Sequence, residues 1–333
     1  MTLLILHASP YSTLAAAGAI NASFALPMKF LRKCPWENVW LVWSLFALLV
    51  FPIALACAAI PGFPRLYFAA ELRVLPLLLI GGLWGVGQVL FGLALEAIGI
   101  SLSTALMLGI STATGTLLPL ALAGKQRPPL LHAFPLAAGV TLVIAGVVLC
   151  ARAGQKRESG RSGALRGIVF AAAAGFGAGL FNLLLPFGRP FIQVALAAGS
   201  TPASAQLAAW TPFLCAGAVV NIGYCIFRLV RRKTACHFAE RGAFPCWLGG
   251  MLMAALWLGS ALLYGTAAGQ MGAWGTVFAW PIYMSLIVLG TAVIGLLANE
   301  WRAASFGTII TLTGGLTVLV AAVFVISSVQ RMA

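Results

Sequence analysis

Long apolar runs separated by short polar segments make up most of the chain, and we interpret ten of them as membrane-spanning helices. A helix needs roughly 20 apolar residues to cross a hydrocarbon core about 30 Å thick, and it satisfies its own backbone hydrogen bonds where water is absent. The predicted spans are Tyr11–Phe30, Val39–Ile60, Val74–Ile98, Ser101–Ala123, Phe134–Ala151, Gly167–Phe187, Ala205–Phe227, Phe244–Ala268, Ala273–Ala298 and Phe306–Ser328. Gly188–Ser204 is broken by Pro190 and Pro202, and we predict it to be a connecting helix at the membrane interface.

One part of this pattern occurs twice. Gly81–Pro119 predicts a transmembrane hairpin, because it is long enough for two helices and contains one charged residue, Glu96. About 173 residues later, Leu256–Gly272 aligns without a gap on Leu83–Gly99. Six of the seventeen aligned positions are identical, and one of these is a tryptophan. The alignment indicates an internal repeat.

A polar segment rich in glycine and serine, 152–166, divides the chain into an N-terminal unit, 1–151, and a C-terminal unit, 167–333. Each unit contains five predicted spans. Two copies of a unit with an odd number of spans lie in the membrane with opposite polarity. We therefore predict an all-α polytopic membrane protein whose ten transmembrane helices form two inverted five-helix repeats.

Composition supports the membrane assignment and excludes a soluble globular domain. Hydrophobic residues make up 62% of the chain and charged residues 8%, whereas about a quarter of the residues of a soluble domain are charged. The net charge of +14 does not indicate nucleic-acid binding, because the basic residues form short clusters between apolar runs. Fourteen of the twenty lysines and arginines fall on the side of the membrane that includes the segment 152–166. By the positive-inside rule that side is cytoplasmic, and both termini are predicted to be periplasmic.

Several sequence blocks resemble the L-rhamnose–proton symporter family, a branch of the drug/metabolite transporter superfamily. The blocks are MKFLRKCPWENVWLVWSL (Met28–Leu45), GGLWGVGQVLFGLALEAIGIS (Gly81–Ser101), TGTLLP (Thr114–Pro119), ARAGQKRE (Ala151–Glu158), VNIGYCIFRL (Val220–Leu229), WPIYMSL (Trp280–Leu286) and NEW (Asn299–Trp301). Their order and spacing extend the resemblance over nearly the whole chain.

The resemblance implies a multi-pass carrier of the bacterial inner membrane that takes up L-rhamnose, or a related deoxy sugar, with a proton by alternating access. An exporter or facilitator of another small metabolite is the alternative within the superfamily. The resemblance implies three partners: the sugar, the coupling proton and membrane lipid. It implies no cofactor, nucleic acid or obligate protein partner. A membrane-embedded enzyme is not expected. Such an enzyme needs converging His, Asp or Glu side chains within its spans, and the predicted spans of this chain contain almost none.

The chemistry of a sugar site can be found in the predicted spans. A sugar needs polar groups for its hydroxyls and aromatic faces for its C–H surfaces. Trp84 and Gln88 are spaced i, i+4, which places an indole and an amide on one face of a helix. The other candidates are polar or aromatic residues within spans, namely Asn21, Ser111, Asn221, Trp257 and Tyr264. The alternative is that these polar groups join membrane helices without touching substrate.

A proton-coupled carrier needs a titratable group, and the chain has six glutamates and no aspartate. Glu37 is our candidate for proton coupling, because it matches an acidic position of the family's W-E-x-x-W block. A carboxylate partly dehydrated between Trp36 and Trp40 binds protons more readily. The neighbouring basic cluster of Lys29, Arg32 and Lys33 favours the alternative of an interfacial ion pair.

The remaining chemistry is sparse. The three histidines and seven cysteines lack the spacing of a metal site, so no metal is expected and the cysteines are interpreted as small buried hydrophobes. Gly81/Gly85 and Gly175/Gly179 have the small-xxx-small spacing that lets helix backbones approach. Prolines within the spans, among them Pro119, Pro186, Pro212 and Pro281, are predicted to interrupt or end helices.

Overall fold

The protein is described here by a computed structural model covering residues 9–31, 34–68, 74–98, 100–122, 130–157, 165–240, 243–297, 301–302 and 304–332. All regular secondary structure in these residues is helical. The α-helices are α1 (Pro10–Ser23), α2 (Trp36–Leu45), α3 (Phe51–Ala59), α4 (Phe63–Leu66), α5 (Leu75–Ile98), α6 (Ile100–Leu122), α7 (Leu130–Arg157), α8 (Leu165–Leu180), α9 (Leu184–Ala197), α10 (Pro202–Ala205), α11 (Leu207–Arg232), α12 (Phe244–Gln270), α13 (Gly275–Leu297) and α14 (Phe306–Met332). A π-helical turn, Phe46–Val50, joins α2 to α3.

Eight helical segments among the described residues are long and apolar enough to cross a membrane. They are Trp36–Ala59, Leu75–Leu95, Ala133–Ala153, Leu165–Ala197, Pro202–Arg232, Phe244–Gln270, Gly275–Leu297 and Phe306–Ser328. Eight of the ten predicted spans overlap them, and the first and fourth do not. The first predicted span ends early, because α1 has 14 residues and is followed by a 3-10 turn, Leu26–Lys29, that contains Pro27. In the fourth, the apolar helix is shorter, Leu106–Leu122.

Proline does not end helices as often as the sequence suggested. Pro119, Pro190, Pro212 and Pro281 lie inside α6, α9, α11 and α13. The predicted break at Pro190 is therefore wrong: α8, a 3-10 turn and α9 form one helical segment of 33 residues. An interior proline leaves the carbonyl four residues earlier without its helical donor, so a continuous helix must satisfy that carbonyl in another way.

The chain forms two compact units, each built from both halves of the sequence. Unit 1 comprises Met1–Ala22, Gly87–Leu183 and Ala267–Ala333, and unit 2 comprises Ser23–Val86 and Leu184–Thr266. The described residues of the segment 152–166 lie within the range of unit 1. Its first residues belong to α7, which ends at Arg157.

Glycines allow close helix packing within each unit, which confirms the role predicted for the two small-xxx-small pairs. In unit 2, a Cβ at Gly81 would collide with the carbonyl of Phe213, and one at Gly85 would lie 2.9 Å from the Cα of Gly217. In unit 1, a Cβ at Gly175 would lie 2.8 Å from the carbonyl oxygen of Met107. In each contact backbone lies against backbone, so no side chain could move aside for a larger residue.

Gly81 and Gly82 provide a matched test of this packing. Gly81→Ala should destabilise the protein by on the order of 1–3 kcal/mol, because the methyl group overlaps the α11 backbone. Gly82→Ala should be neutral or stabilising by up to about 1 kcal/mol, because no atom lies within 4 Å of the added Cβ and alanine favours the helix. Equilibrium unfolding in detergent micelles measures both, and equal stabilities would contradict the packing described.

Candidate functional site

Unit 2 contains an aromatic cluster that includes two of the predicted site residues. The ring centroids of Trp84 and Trp257 lie 5.8 Å apart, Trp43 meets Trp257 edge-on at 5.5 Å, and Phe213 lies 5.6 Å from Trp84. We call Trp43, Trp84, Phe213 and Trp257 the tryptophan cluster. Four helices supply it: α2, α5, α11 and α12.

The indole of Trp84 lies directly on α11 because Gly217 has no side chain. A Cβ at Gly217 would lie 2.8 Å from Cε3 of Trp84. One turn further along α11, Asn221 is buried and donates its Nδ2 to the carbonyl of Gly217 at 3.0 Å. The amide that the sequence proposed for substrate therefore makes a hydrogen bond within its own helix.

Trp43 was missed by the sequence reasoning. It is 1% exposed, and its Nε1 has no hydrogen-bond acceptor among the described residues. The hydroxyl of the next residue, Ser44, is also buried without a partner in the described part of the chain. The i, i+4, i+7 spacing of Trp36, Trp40 and Trp43 could have identified this helix face from the sequence. The tryptophan cluster thus contains a buried indole N–H that is an available donor for a ligand hydroxyl.

Two other predicted residues share helices with this cluster and differ in exposure. Tyr264 lies two turns after Trp257 on α12 and is fully buried. Gln88 lies one turn after Trp84 on α5 and is partly exposed.

A second cluster of polar and aromatic residues lies in unit 1. Asn21 on α1 donates its Nδ2 to the hydroxyl of Tyr283 at 2.7 Å. Trp280, on the same helix as Tyr283, donates its Nε1 to the carbonyl of Ser111 at 2.8 Å. The Trp280 indole lies flat against α6, where a Cβ at Gly115 would overlap it. Asn21 and Ser111 are thus both part of interhelical hydrogen bonds, with two aromatic partners that the sequence had not selected.

Asn182 completes this second cluster and was also missed. It lies in the 3-10 turn between α8 and α9, is fully buried, and donates its Nδ2 to the carbonyls of Gly115 at 2.5 Å and Thr276 at 2.8 Å. Gly115 is four residues before Pro119, whose nitrogen carries no hydrogen. The Asn182 amide thus replaces the helical hydrogen bond that Pro119 cannot make, which allows α6 to continue through the proline.

Glu37 is buried at one end of unit 2. It lies in the first turn of α2, where the helix dipole favours a carboxylate, and is 1% exposed. Its Oε1 accepts a hydrogen bond from Thr234 Oγ1 at 3.0 Å, and its Oε2 lies 3.5 Å from Nη1 of Arg232. A buried carboxylate is costly unless it is paired and hydrogen-bonded, and these two residues meet that requirement. The sequence did not suggest either partner, because both follow almost 200 residues later.

Arg232 and Arg228 on α11 differ in exposure and in what they contact. The Arg232 side chain is 51% exposed, so the ion pair reaches the edge of the unit. One turn earlier, Arg228 is buried, with its guanidinium 5.9 Å from the ring of Trp36. The side chains of Lys29, Arg32 and Lys33, the ion-pair partners considered from the sequence, lie outside the described residues.

The interpretation of all seven cysteines as small buried hydrophobes is wrong. Cys34 and Cys246, which are 212 residues apart in the sequence, form a disulfide. Of the others, Cys225 is buried, whereas Cys57 and Cys236 are exposed. The pairing was not predictable from spacing, because it depends on which helix ends meet. Cys236 also lies near the surface ion pair between His237 Nδ1 and Glu240 Oε1, which are 2.9 Å apart.

Eight helices in the described part of the chain that are long and apolar enough to cross a membrane define a multi-pass membrane protein. Comparison with known families is more specific. The chain belongs to the L-rhamnose-proton symport protein family, whose model matches residues 5–330.

Individual relatives agree with this assignment. The chain is 29% identical over 329 residues to the L-rhamnose-proton symporter of Cronobacter sakazakii, covering 92% of this chain and 93% of that one. It is 29% identical over 323 residues to the protein of the same name from Klebsiella pneumoniae, with the same coverage. A solved structure described as "Crystal structure of protein" matches 98% of this chain and 99% of its own with a TM-score of 0.60. At 17% identity, that likeness shows a shared fold.

The role of Asn182 can be tested by a double-mutant cycle. Asn182→Leu should destabilise the protein by about 1–3 kcal/mol, because the Gly115 carbonyl loses its donor. Adding Pro119→Ala restores a backbone N–H four residues after Gly115, so the double variant should recover part of the loss. Thermal unfolding in detergent provides the four stabilities. Strictly additive effects would show that Asn182 does not compensate for the proline.

Proposed function

We propose that this chain takes up L-rhamnose, or a related deoxy sugar, together with a proton across the bacterial inner membrane. The observation that carries the proposal is the family match over residues 5–330. Relatives named L-rhamnose-proton symporter that align over 92% of the chain support it. No enzymatic step is part of the proposed activity.

The proposed architecture is that of an alternating-access carrier in the drug/metabolite transporter superfamily. In this proposal α1 and α6 supply two further spans, which raises the total to ten. The sequence halves 1–151 and 167–333 are related as inverted five-helix repeats. Two features suggest this relation: the repeat of the Trp84 segment around Trp257 and the odd number of spans per half. Both termini are periplasmic, in keeping with the distribution of lysine and arginine.

The sugar site is proposed to include the tryptophan cluster. Trp84 and Trp257 offer aromatic faces to sugar C–H groups, and the Nε1 of Trp43 offers a buried donor. Gln88 adds an amide, which can donate to one hydroxyl and accept from its neighbour.

The four remaining residues of the proposed lining are Asn21, Ser111, Asn221 and Tyr264. Asn21 and Tyr283 already share a hydrogen bond, so a sugar hydroxyl would exchange with an existing partner rather than fill an empty place. Such exchange keeps the Asn21 amide and the Tyr283 hydroxyl hydrogen-bonded with and without substrate.

Glu37 is proposed to carry the coupling proton. Ionised Glu37 attracts Arg232, whereas protonated Glu37 loses that attraction and becomes an O–H donor. Because Glu37 and Trp43 lie on the same helix, α2, a change in the pairing of Glu37 can be transmitted to the tryptophan cluster by movement of that helix. The proton is thereby linked to the sugar site through one rigid element.

Removal of the Trp84 ring tests the sugar site. Trp84→Ala should weaken L-rhamnose binding by at least about tenfold, equivalent to about 1.4 kcal/mol, because the stacking face is lost. Equilibrium dialysis of labelled L-rhamnose against the detergent-purified protein measures the affinity. Trp247→Ala is the matched control, since Trp247 packs on Phe238 and is not part of the tryptophan cluster. Wild-type affinity in Trp84→Ala would remove Trp84 from the site.

Neutralisation of Glu37 tests the coupling. Glu37→Gln keeps the shape of the side chain but cannot titrate, so exchange of labelled sugar between equal concentrations should persist while accumulation driven by a pH gradient disappears. Both are measured in proteoliposomes. Glu240→Gln, which neutralises an exposed carboxylate, should accumulate sugar like the wild type. If Glu37→Gln accumulates sugar with the wild-type pH dependence, Glu37 is an ion-pair residue and the coupling group lies elsewhere.

A further inference from the structure

The Cys34–Cys246 disulfide joins the segment that leads into α2 to the first turn of α12. The two Cα atoms are 5.9 Å apart, which is within the usual range for a disulfide. Cys34 precedes Glu37 by three residues, so the bond lies at the end of unit 2 where Glu37 meets Thr234 and Arg232.

The two segments remain in close contact beyond the disulfide. A Cβ at Gly249 would overlap the side chain of Leu31, and one at Gly250 would lie 2.7 Å from Cβ of Val42. Further along α12, Trp257 meets Trp43 in the tryptophan cluster. On α12 these contacts fall at 246, 249, 250 and 257, which is the spacing of a single helix face.

The centre of this helix face makes apolar contacts, and one end of it carries the disulfide. The side chains of Leu31 and Val42 pack into the space that Gly249 and Gly250 leave open, and such apolar contacts can be exchanged without breaking a hydrogen bond. The disulfide is different, because it fixes one pair of Cα atoms. With the bond closed, α2 can move against α12 only as far as that link permits.

The distribution of charge bears on whether this bond is permanent. Cys34 lies in the predicted loop after the first span, and Cys246 follows the basic segment Arg228–Arg241. The positive-inside rule assigns both loops to the cytoplasm, where thiols are kept reduced. A cysteine pair on that side is therefore expected to be open in unstressed cells and to close under oxidising conditions.

We propose that Cys34 and Cys246 form a redox-operated clamp that stops transport when it is closed. The proposal rests on the function proposed above, because it requires α2, with Glu37 and Trp43, to move against α12 during the transport cycle. In the reduced protein this movement is free. In the oxidised protein the Glu37 end of α2 is tied to α12, and the carrier is held in one conformation.

The oxidant is a small-molecule disulfide such as oxidised glutathione. The thiolate of one cysteine attacks the reagent, forms a mixed disulfide and releases one molecule of reduced thiol. The thiolate of the second cysteine then displaces the other molecule and closes the protein disulfide. Two cysteine thiols and one oxidised glutathione thus yield one protein disulfide and two reduced glutathione molecules, which carry the two electrons.

Transport measurements on defined redox states test the clamp. Proteoliposomes containing the wild-type protein are treated with oxidised glutathione or with dithiothreitol, and the initial rate of L-rhamnose uptake is measured. The rate should fall by at least about tenfold on oxidation, since a conformational step is blocked, and dithiothreitol should restore it. Cys34→Ser and Cys246→Ser should each transport like the reduced wild type in both reagents. Cys57→Ser and Cys236→Ser, which change exposed free cysteines, should retain the wild-type sensitivity.

A second measurement does not depend on transport. Hydrogen–deuterium exchange over Trp36–Leu45 should be faster in the reduced than in the oxidised wild type, and equal in the two reagents for Cys34→Ser. Loss of rhamnose uptake in the reduced protein with this exchange difference intact would overturn the proposed function and leave the clamp standing. Equal uptake and equal exchange in both redox states would overturn the clamp.

The state of the pair in cells provides the last test. Thiols are trapped with N-ethylmaleimide before lysis, and the Cys34–Cys246 peptide pair is identified by mass spectrometry. We expect the pair to be reduced in unstressed cells and bonded after exposure to diamide. A pair that is bonded in unstressed cells is a permanent structural link, and that result would overturn the redox clamp.

Discussion

The hydrocarbon interior of a membrane offers the backbone no hydrogen-bond partner, and the structure depends on meeting this constraint inside the protein. Long helices meet it almost everywhere, which is why all regular structure in the described residues is helical. α6 illustrates the exception, because Pro119 leaves the Gly115 carbonyl without its helical donor and the buried amide of Asn182 takes that place. A side chain from a turn thus preserves a helix elsewhere in unit 1, and the same amide binds a carbonyl of α13. Backbone satisfaction and helix packing are therefore achieved by the same residue.

A buried charge, like a buried backbone group, needs a partner inside the protein, and its burial costs more. Of the glutamates whose side chains the structure describes, Glu37 is buried and Glu240 is exposed. A carboxylate is kept out of water only where partners compensate, and Thr234 and Arg232 provide a hydrogen bond and a countercharge. Arg232 is half exposed, so the ion pair reaches the edge of the unit. Burial beside a countercharge distinguishes Glu37 from the exposed Glu240.

The residues predicted for the site belong to both compact units. Trp84 and Trp257 lie in contact within unit 2, whereas Asn21 and Ser111 belong to a hydrogen-bonded cluster within unit 1. The sequence identified these residues as polar or aromatic groups in apolar segments, but it did not identify their partners. Trp43, Asn182, Trp280 and Tyr283 hold these clusters together, and none had been selected. In the membrane, a residue's type indicates that it needs a partner, whereas only the packing identifies which one it has.

The sequence by itself determined the class of protein, most of its spans and its family, because hydropathy over some 20 residues is a local property and the family blocks are contiguous. It also determined the packing role of Gly81 and Gly85, since residues four apart lie on the same face of a helix. Only the tertiary structure decided that Cys34 meets Cys246, that Asn182 compensates for Pro119 and that Glu37 pairs with Arg232. The physical reason is that these helices are apolar on nearly every side, so no polar stripe marks the face that turns inward. Pairings between residues distant in sequence arise when helices pack, and no local pattern encodes them.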